Sequence, residues 1–260
     1  MAAEQAHAIV IRTVPFSETS CVVTLFTREF GKLRALAKGA WRPKSAFDAA
    51  LDLLSICQVL VICKSSGGLD LLTEARLDHR FRVGASLPAI HGGMYVAELL
   101  DALTADADPQ PELFDVSEKT LLELSDYDGA EETIGALVVH TELAMLRIIG
   151  HTPALDRCAE CRAPIEITGR TPFAMLDGGA LCGRCRQGKN AIVSVSYECM
   201  AALQHLAAPT DFWRTLTLPP RVAGELRAVM NAFLTHFIGR RLKVAPLLSF
   251  KPRPHGARPS

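Results

Sequence analysis

The chain has 260 residues, more than one average domain, so one large domain or two to three small ones are expected. Hydrophobic residues make up 49% of it, which excludes a disordered chain. A formal net charge of zero argues against a uniformly basic nucleic-acid binder, so any such role must rest on segregated charge.

Met1 to Ala8 does not read as a secretory leader, because Glu4, Gln5 and His7 interrupt any apolar core. Leu51 to Cys63 is the most apolar run, but it is short for a membrane span and contains Asp52 and Gln58. A cytoplasmic protein is the expectation. In that reducing setting the eight cysteines are expected to bind metal or to be buried, not to form disulfides.

The first eighty residues alternate as strands do: His7 to Val14, Ser20 to Thr27, Lys32 to Lys38, Ile56 to Lys64 and Leu69 to Ala75. Pro15 to Ser17 and Phe30-Gly31 break the runs, and Ser65 to Gly68 suits a hairpin loop. Five short strands with a long third connection predict a small closed barrel; spacing leaves OB-fold and SH3-like barrels both open. From Ser86 the period becomes helical, with Ala89, Met94, Ala97, Leu100 and Leu103 near one face. Ala105 to Pro111 reads as a loop, followed by helices at Pro111 to Ser125 and Glu131 to Ile149, the second too apolar all round for a surface helix. A cysteine-rich insert at about His151 to Val193 interrupts the helices, which resume at Ser196 to Ala207 and Pro220 to Ile238. In the last, Val222, Leu226, Val229, Phe233 and Phe237 form one stripe between Pro219-Pro220 and Gly239. Lys251 to Ser260 is expected to be a disordered basic tail.

The most specific local pattern is Cys158-Ala-Glu-Cys161 followed, after 20 residues, by Cys182-Gly-Arg-Cys185. Two such knuckles can present four thiolates to one tetrahedral zinc, and four protein ligands leave no open position for water, so the site is read as structural. A redox dithiol or a degenerate knuckle without metal are the competing readings. Cys21, Cys57, Cys63 and Cys199 are expected to be buried as small hydrophobes.

Charge is segregated. Arg28, Lys32, Arg34, Lys38, Arg42 and Lys44 face only Glu29 within their stretch. Even steps put Lys32, Arg34 and Lys38 on one strand face, and Trp41 beside them could stack on a base, as in barrels that hold single strands. The plain alternative is a solvated strand face with a buried tryptophan. Glu98 to Glu142 instead holds thirteen carboxylates and one cation, Lys119, while residues after Pro220 are basic again. The acidic centre would repel phosphate and suits solubility or a protein partner. Phosphate-loop, nucleophile-elbow and zinc-protease motifs are absent, so no catalytic residue is assigned.

Several stretches together resemble the RecO family of recombination mediators. Lys38-Gly39-Ala40-Trp41-Arg42-Pro43-Lys44-Ser45 is similar to that family's basic segment after the third strand. Tyr95 to Leu103, Pro111 to Asp115, Glu142 to Cys161, Phe173, Gly178 to Cys182 and Gly239 to Lys243 follow its motifs in order. Trp41 stands where a basic residue is expected, and Arg162 where glycine is usual. The resemblance implies an OB-fold over residues 1–80, a helical domain over 81–150 and 194–245, a zinc ribbon over 151–193 and a tail over 246–260. It further implies binding of single- and double-stranded DNA, strand annealing, and work with RecR to load RecA onto DNA coated by single-strand-binding protein. A zinc-ribbon adaptor that touches no DNA, and a nucleic-acid-processing enzyme with an unrecognised site, are the alternatives.

Overall fold

The computed structural model describes all residues except 1–2, 48–49, 65–67, 83, 85, 128–130 and 249–260. The expected hairpin turn at Ser65 to Gly68 and the tail from Lys251 thus lie largely or wholly outside the described residues. Backbone contacts divide the chain into two compact units, Met1–Tyr127 and Asp128–Ser260.

The first unit is built on five strands: β1 (Glu4–Pro15), β2 (Cys21–Thr27), β3 (Gly31–Ala37), β4 (Ile56–Ile62) and β5 (Asp70–His79). They close into a barrel in the order β1-β2-β3-β5-β4, with β4 returning to β1. All neighbours are antiparallel except β3 and β5, which pair in parallel over Ala35–Ala37 and Asp70–Leu72. That parallel seam decides for the OB-fold, because a barrel made only of successive hairpins contains none. Alternation sends Ala8, Val10, Val23, Leu25, Leu33, Ala35, Cys57 and Val59 inward, and the β3–β4 connection adds Phe47, Ala50 and Leu51 to the same core. Helices α1 (Leu87–Leu103) and α2 (Pro111–Ser125) belong to this unit. Phe114 of α2 stacks on the outward ring of Phe26, with centroids 6.2 Å apart, and also meets His7.

The second unit holds α3 (Glu131–Ile148), a ribbon of β6 (Thr171–Ala174), β7 (Gly179–Ala180) and β8 (Ile192–Val195), then α4 (Tyr197–Ala207) and α5 (Pro220–Ile238). Its ribbon order is β7-β6-β8. Leu137, Val138, Leu143, Met145 and Leu146 bury α3 almost all round, as its composition requires. Two charged groups meet inside: the Arg227 guanidinium of α5 donates to the Glu142 carboxylate of α3 at 2.6 Å. The α5 stripe is buried at Val222, Leu226, Val229 and Phe233, whereas Phe237 at its end stays 37% exposed. Among the described residues no helix is long and apolar enough to cross a membrane.

Candidate metal centre and nucleic-acid interface

The two cysteine knuckles are local turns with the same backbone closure. Arg162 N donates to Cys158 O at 2.9 Å, and Arg186 N to Cys182 O at 3.1 Å. The ribbon backbone joins them: Ala159 N donates to Ala180 O, and Cys182 N to the Cys158 sulfur. At Gly179 (φ +150°) a Cβ would run into the backbone of Ala154, so only glycine lets the two segments approach.

This brings the Cys158, Cys161, Cys182 and Cys185 sulfurs within 4.8 Å of one another, with 3.9 Å between Cys161 and Cys182. A tetrahedron with 2.3 Å Zn–S bonds has edges of about 3.8 Å, so the cluster has the size of a four-thiolate zinc site. All eight cysteines are free thiols, and the ribbon sulfurs stand well beyond bonding distance of one another. Burial opposes ionisation of Cys158, but N–H groups of Cys161, Cys182 and Glu160 outweigh it and bring its pKa down to about 6. Cys185, bonded through its side chain to Cys182, is pushed up to about 12. Backbone donors thus stabilise the first negative charge, and mutual repulsion resists the next, which a divalent cation would relieve. The buried cluster at the centre is small, Cys158 with Ala174 and Leu181, too little to hold the cysteine knuckles by apolar packing alone. The remaining cysteines are apart from it: Cys21, Cys57 and Cys199 are buried, and Cys63, just past β4, is half-buried.

Arg162 sits at φ +62° in the first knuckle. The left-handed conformation explains why glycine is usual there, and the arginine carries the backbone strain that glycine would avoid.

The six cations expected on a common DNA track separate into two groups. Lys32 is only 8% exposed, and its ammonium donates to Asp101 O at 2.9 Å and Thr104 O at 2.8 Å, with Asp101 and Asp106 carboxylates nearby. It terminates α1, whose last turn has no basic residue of its own. The expectation of an open charge at Lys32 is corrected: the residue points outward from β3, but the end of α1 covers it. Arg28 makes a two-pronged pair with Asp115 at 2.8 and 3.0 Å, and through that bond it holds the carboxyl below its usual range. Arg34 bonds Asp106 at 2.5 Å. Gly31 (φ +69°) permits this arrangement, since a Cβ there would strike the backbone of Asp108.

Lys38, Trp41, Arg42 and Lys44 remain together in the exposed loop after β3. The loop is ordered by successive turns, with Arg42 N donating to Gly39 O at 3.0 Å and Ser45 N to Arg42 O at 3.1 Å. It is tied to the β1–β2 loop by Trp41 N to Thr19 O and Gly39 N to the Ser20 hydroxyl, both 3.1 Å. None of Lys38, Arg42 and Lys44 makes an ion pair among the described residues.

Sequence reasoning missed what the neighbouring loop and strands add. Phe16, read only as part of a turn, is 61% exposed in the β1–β2 loop to which the backbone of Trp41, itself 49% exposed, is bonded. Register aligns Arg12, Thr24 and Arg34 across β1, β2 and β3, next to an outward row of Val14, Val22, Leu36 and Leu71. The barrel therefore offers two exposed rings, an apolar row and unpaired cations at one end of one face.

Comparison with known proteins bears on both sites. Residues 1–81 match the family model described as Recombination protein O N terminal, and residues 85–246 the model described as Recombination protein O C terminal. The chain belongs to the RecO family. Among RecO relatives, it is 36% identical over 270 residues to the DNA repair protein RecO of Rhodopirellula baltica, covering 94% of this chain and 98% of that one. It is 35% identical over 239 residues to the protein of that name from Salinibacter ruber, covering 89% and 87%. With the Myxococcus xanthus RecO it shares 35% over 237 residues, covering 91% and 93%. The two RecO family models span both the barrel and the ribbon with its helices, so the resemblance read from ordered motifs extends over both units.

Proposed function

We propose that this chain is a non-catalytic, cytoplasmic recombination mediator. It binds single- and double-stranded DNA, anneals complementary strands and works with RecR to load RecA onto DNA coated by single-strand-binding protein. Membership of the RecO family supports the general role. The observation that carries DNA contact is the pair of joined loops presenting Lys38, Arg42 and Lys44 with Trp41 and Phe16. Cations there neutralise phosphates while the rings stack on unpaired bases, a combination that holds single strands without reading sequence. Neutralising one strand lowers the repulsion met by its complement. Arg12 extends the track along the sheet, and Arg28 and Arg34 join it only by exchanging a carboxylate for a phosphate. Lys32 has no part in it.

The ribbon cysteines fit zinc, with Cys158, Cys161, Cys182 and Cys185 as the ligands. The metal supplies a crosslink in place of a hydrophobic core and leaves no site for substrate. The pairing of Arg28, Lys32 and Arg34 with carboxylates favours one other reading, an adaptor that contacts proteins alone. Anisotropy of a labelled oligonucleotide separates the two, and annealing in the presence of single-strand-binding protein tests the mediator role. Absence of binding at low salt would remove the DNA reading.

A further inference from the structure

β3 is only half paired with β5. Their parallel seam covers Ala35–Ala37, and ahead of it the same edge of β3 is occupied by the acidic loop after α1, with Ala107 N donating to Lys32 O at 2.9 Å. Where strand gives way to loop lies a cavity of about 620 Å³. Phe30, Cys63, Leu69 and Pro109 supply its apolar walls, and Arg34 and Lys64 its cations. Its carboxylates are already engaged: Asp70 accepts from Lys64 N at 2.9 Å, and Asp106 accepts from Arg34. The Lys64 ammonium has no ion pair among the described residues.

We propose that this seam pocket takes one nucleotide of a bound single strand, and that the Asp106 carboxylate holds the place of its phosphate on Arg34 until then. The inference rests on the DNA-binding reading and gives it a specific subsite. Three features support a nucleotide. The volume falls in the range of small-molecule sites, roughly 300–1,000 Å³. Apolar walls with cations among them match a base joined to a phosphate. Arg34 also belongs to the Arg12–Thr24–Arg34 row, so the pocket continues the cationic row of the outer face. A guanidinium accepts carboxylate and phosphate oxygens in the same forked geometry. Both partners of the Arg34–Asp106 pair are at least half exposed, so exchange costs little, and the loop backbone need not move.

Cys63 gives a direct readout, because its half-buried thiol lines the cavity. The full chain is treated with N-ethylmaleimide at mildly alkaline pH, with and without saturating oligothymidylate, and modification of each cysteine is followed by mass spectrometry. The expected result is that the oligonucleotide slows Cys63 modification in proportion to occupancy. Asp106→Asn should tighten oligothymidylate binding by roughly 1.5- to 5-fold, the loss of one exposed competing ion pair. Lys64→Ala should weaken binding and reduce the salt slope by about 0.7. Tight binding with unchanged Cys63 reactivity and no effect of either variant would overturn the pocket while leaving the DNA reading intact. Protection of Cys63 by a protein partner but not by oligonucleotide would also overturn it. No binding by the unaltered chain would instead defeat the reading on which it rests.

Discussion

Separating structural cations from those proposed to contact DNA predicts two opposite phenotypes from one basic stretch. Five exposed cations lie on the proposed track or at its pocket without an ion pair among the described residues: Arg12, Lys38, Arg42, Lys44 and Lys64. If each displaces one counterion from a single strand, the slope of log affinity against log salt is about −3.5, at roughly −0.7 per phosphate. Raising salt from about 50 to about 200 mM should then weaken binding about a hundredfold. Replacing Lys38, Arg42 and Lys44 together with alanine leaves two contacts, and the same change in salt should cost only about sevenfold. Thermal stability should scarcely move, because all three side chains are exposed. Lys32→Ala should do the reverse. It strands the Asp101 and Thr104 carbonyls at the end of α1, a loss of about 1–3 kcal/mol, while the salt slope stays unchanged. Fluorescence anisotropy over a salt series, paired with a thermal melt of each variant, measures both quantities. If Lys32→Ala flattened the slope as much as the triple replacement, or if the triple replacement left it unmoved, the division would be refuted.

Other consequences can be checked separately. Arg162→Gly should stabilise the protein by about 0.5–1 kcal/mol in a melt, because glycine adopts the left-handed conformation without strain. Cys158→Ser, or prolonged chelation, should remove one zinc per chain by metal analysis and loosen the ribbon, which has few buried apolar side chains to replace the metal. Glu142→Gln should cost about 3–5 kcal/mol in denaturant unfolding, since it removes the carboxylate charge that the buried Arg227 guanidinium bonds at 2.6 Å. Burial pushes the thiols of Cys57 and Cys199 up to about 12. In the unfolded chain these thiols ionise near 9, so the stability their burial protects is complete below that pH and is lost as pH rises toward 12. An alkaline unfolding series should show the loss, and replacing either cysteine with alanine should lessen it.

How much of this could be read in the sequence depends on the range of the interactions. Strands β2 to β4 and the five helices lie close to their expected places because each is marked by its own alternation or stripe, whereas β5 runs past its expected end at Ala75 to His79. The clustering of the four cysteines was legible for the same reason, since each knuckle is four consecutive residues and the spacing between them only has to permit a hairpin. β1 starts at Glu4, earlier than expected, because pairing with β4 holds polar residues that alternation does not mark. The closing order of the barrel was not legible, as the β3–β5 seam joins segments separated by the whole β3–β4 connection and β4. Least visible was the fate of the basic residues. Lys32 meets Asp101 across 69 positions, Arg34 meets Asp106 across 72, and Arg28 meets Asp115 across 87. No local pattern distinguishes these cations from Lys38 or Arg42.

The acidic segment acquires a specific role from the same pairs. Thirteen carboxylates in the middle of a neutral chain looked like a surface to be kept away from DNA, yet Asp101, Asp106 and Asp115 bond the basic stretch directly. The effect differs along the strand according to burial. Around Lys32 water is excluded, the donors are saturated by backbone carbonyls, and the contact fastens α1 to β3. At Arg34 and Arg28 both partners stand in solvent, where an ion pair contributes little and a phosphate can replace the carboxylate. One run of aspartates can therefore anchor the helices to the barrel and screen its outer cations until a polyanion arrives. Replacing Asp106 and Asp115 together with asparagine should strengthen low-salt binding to double-stranded and single-stranded DNA alike and steepen the salt dependence, while Asp101→Asn should chiefly lower the melting temperature. Equal effects of all three on stability, with none on affinity, would show that the aspartates serve only to hold the fold.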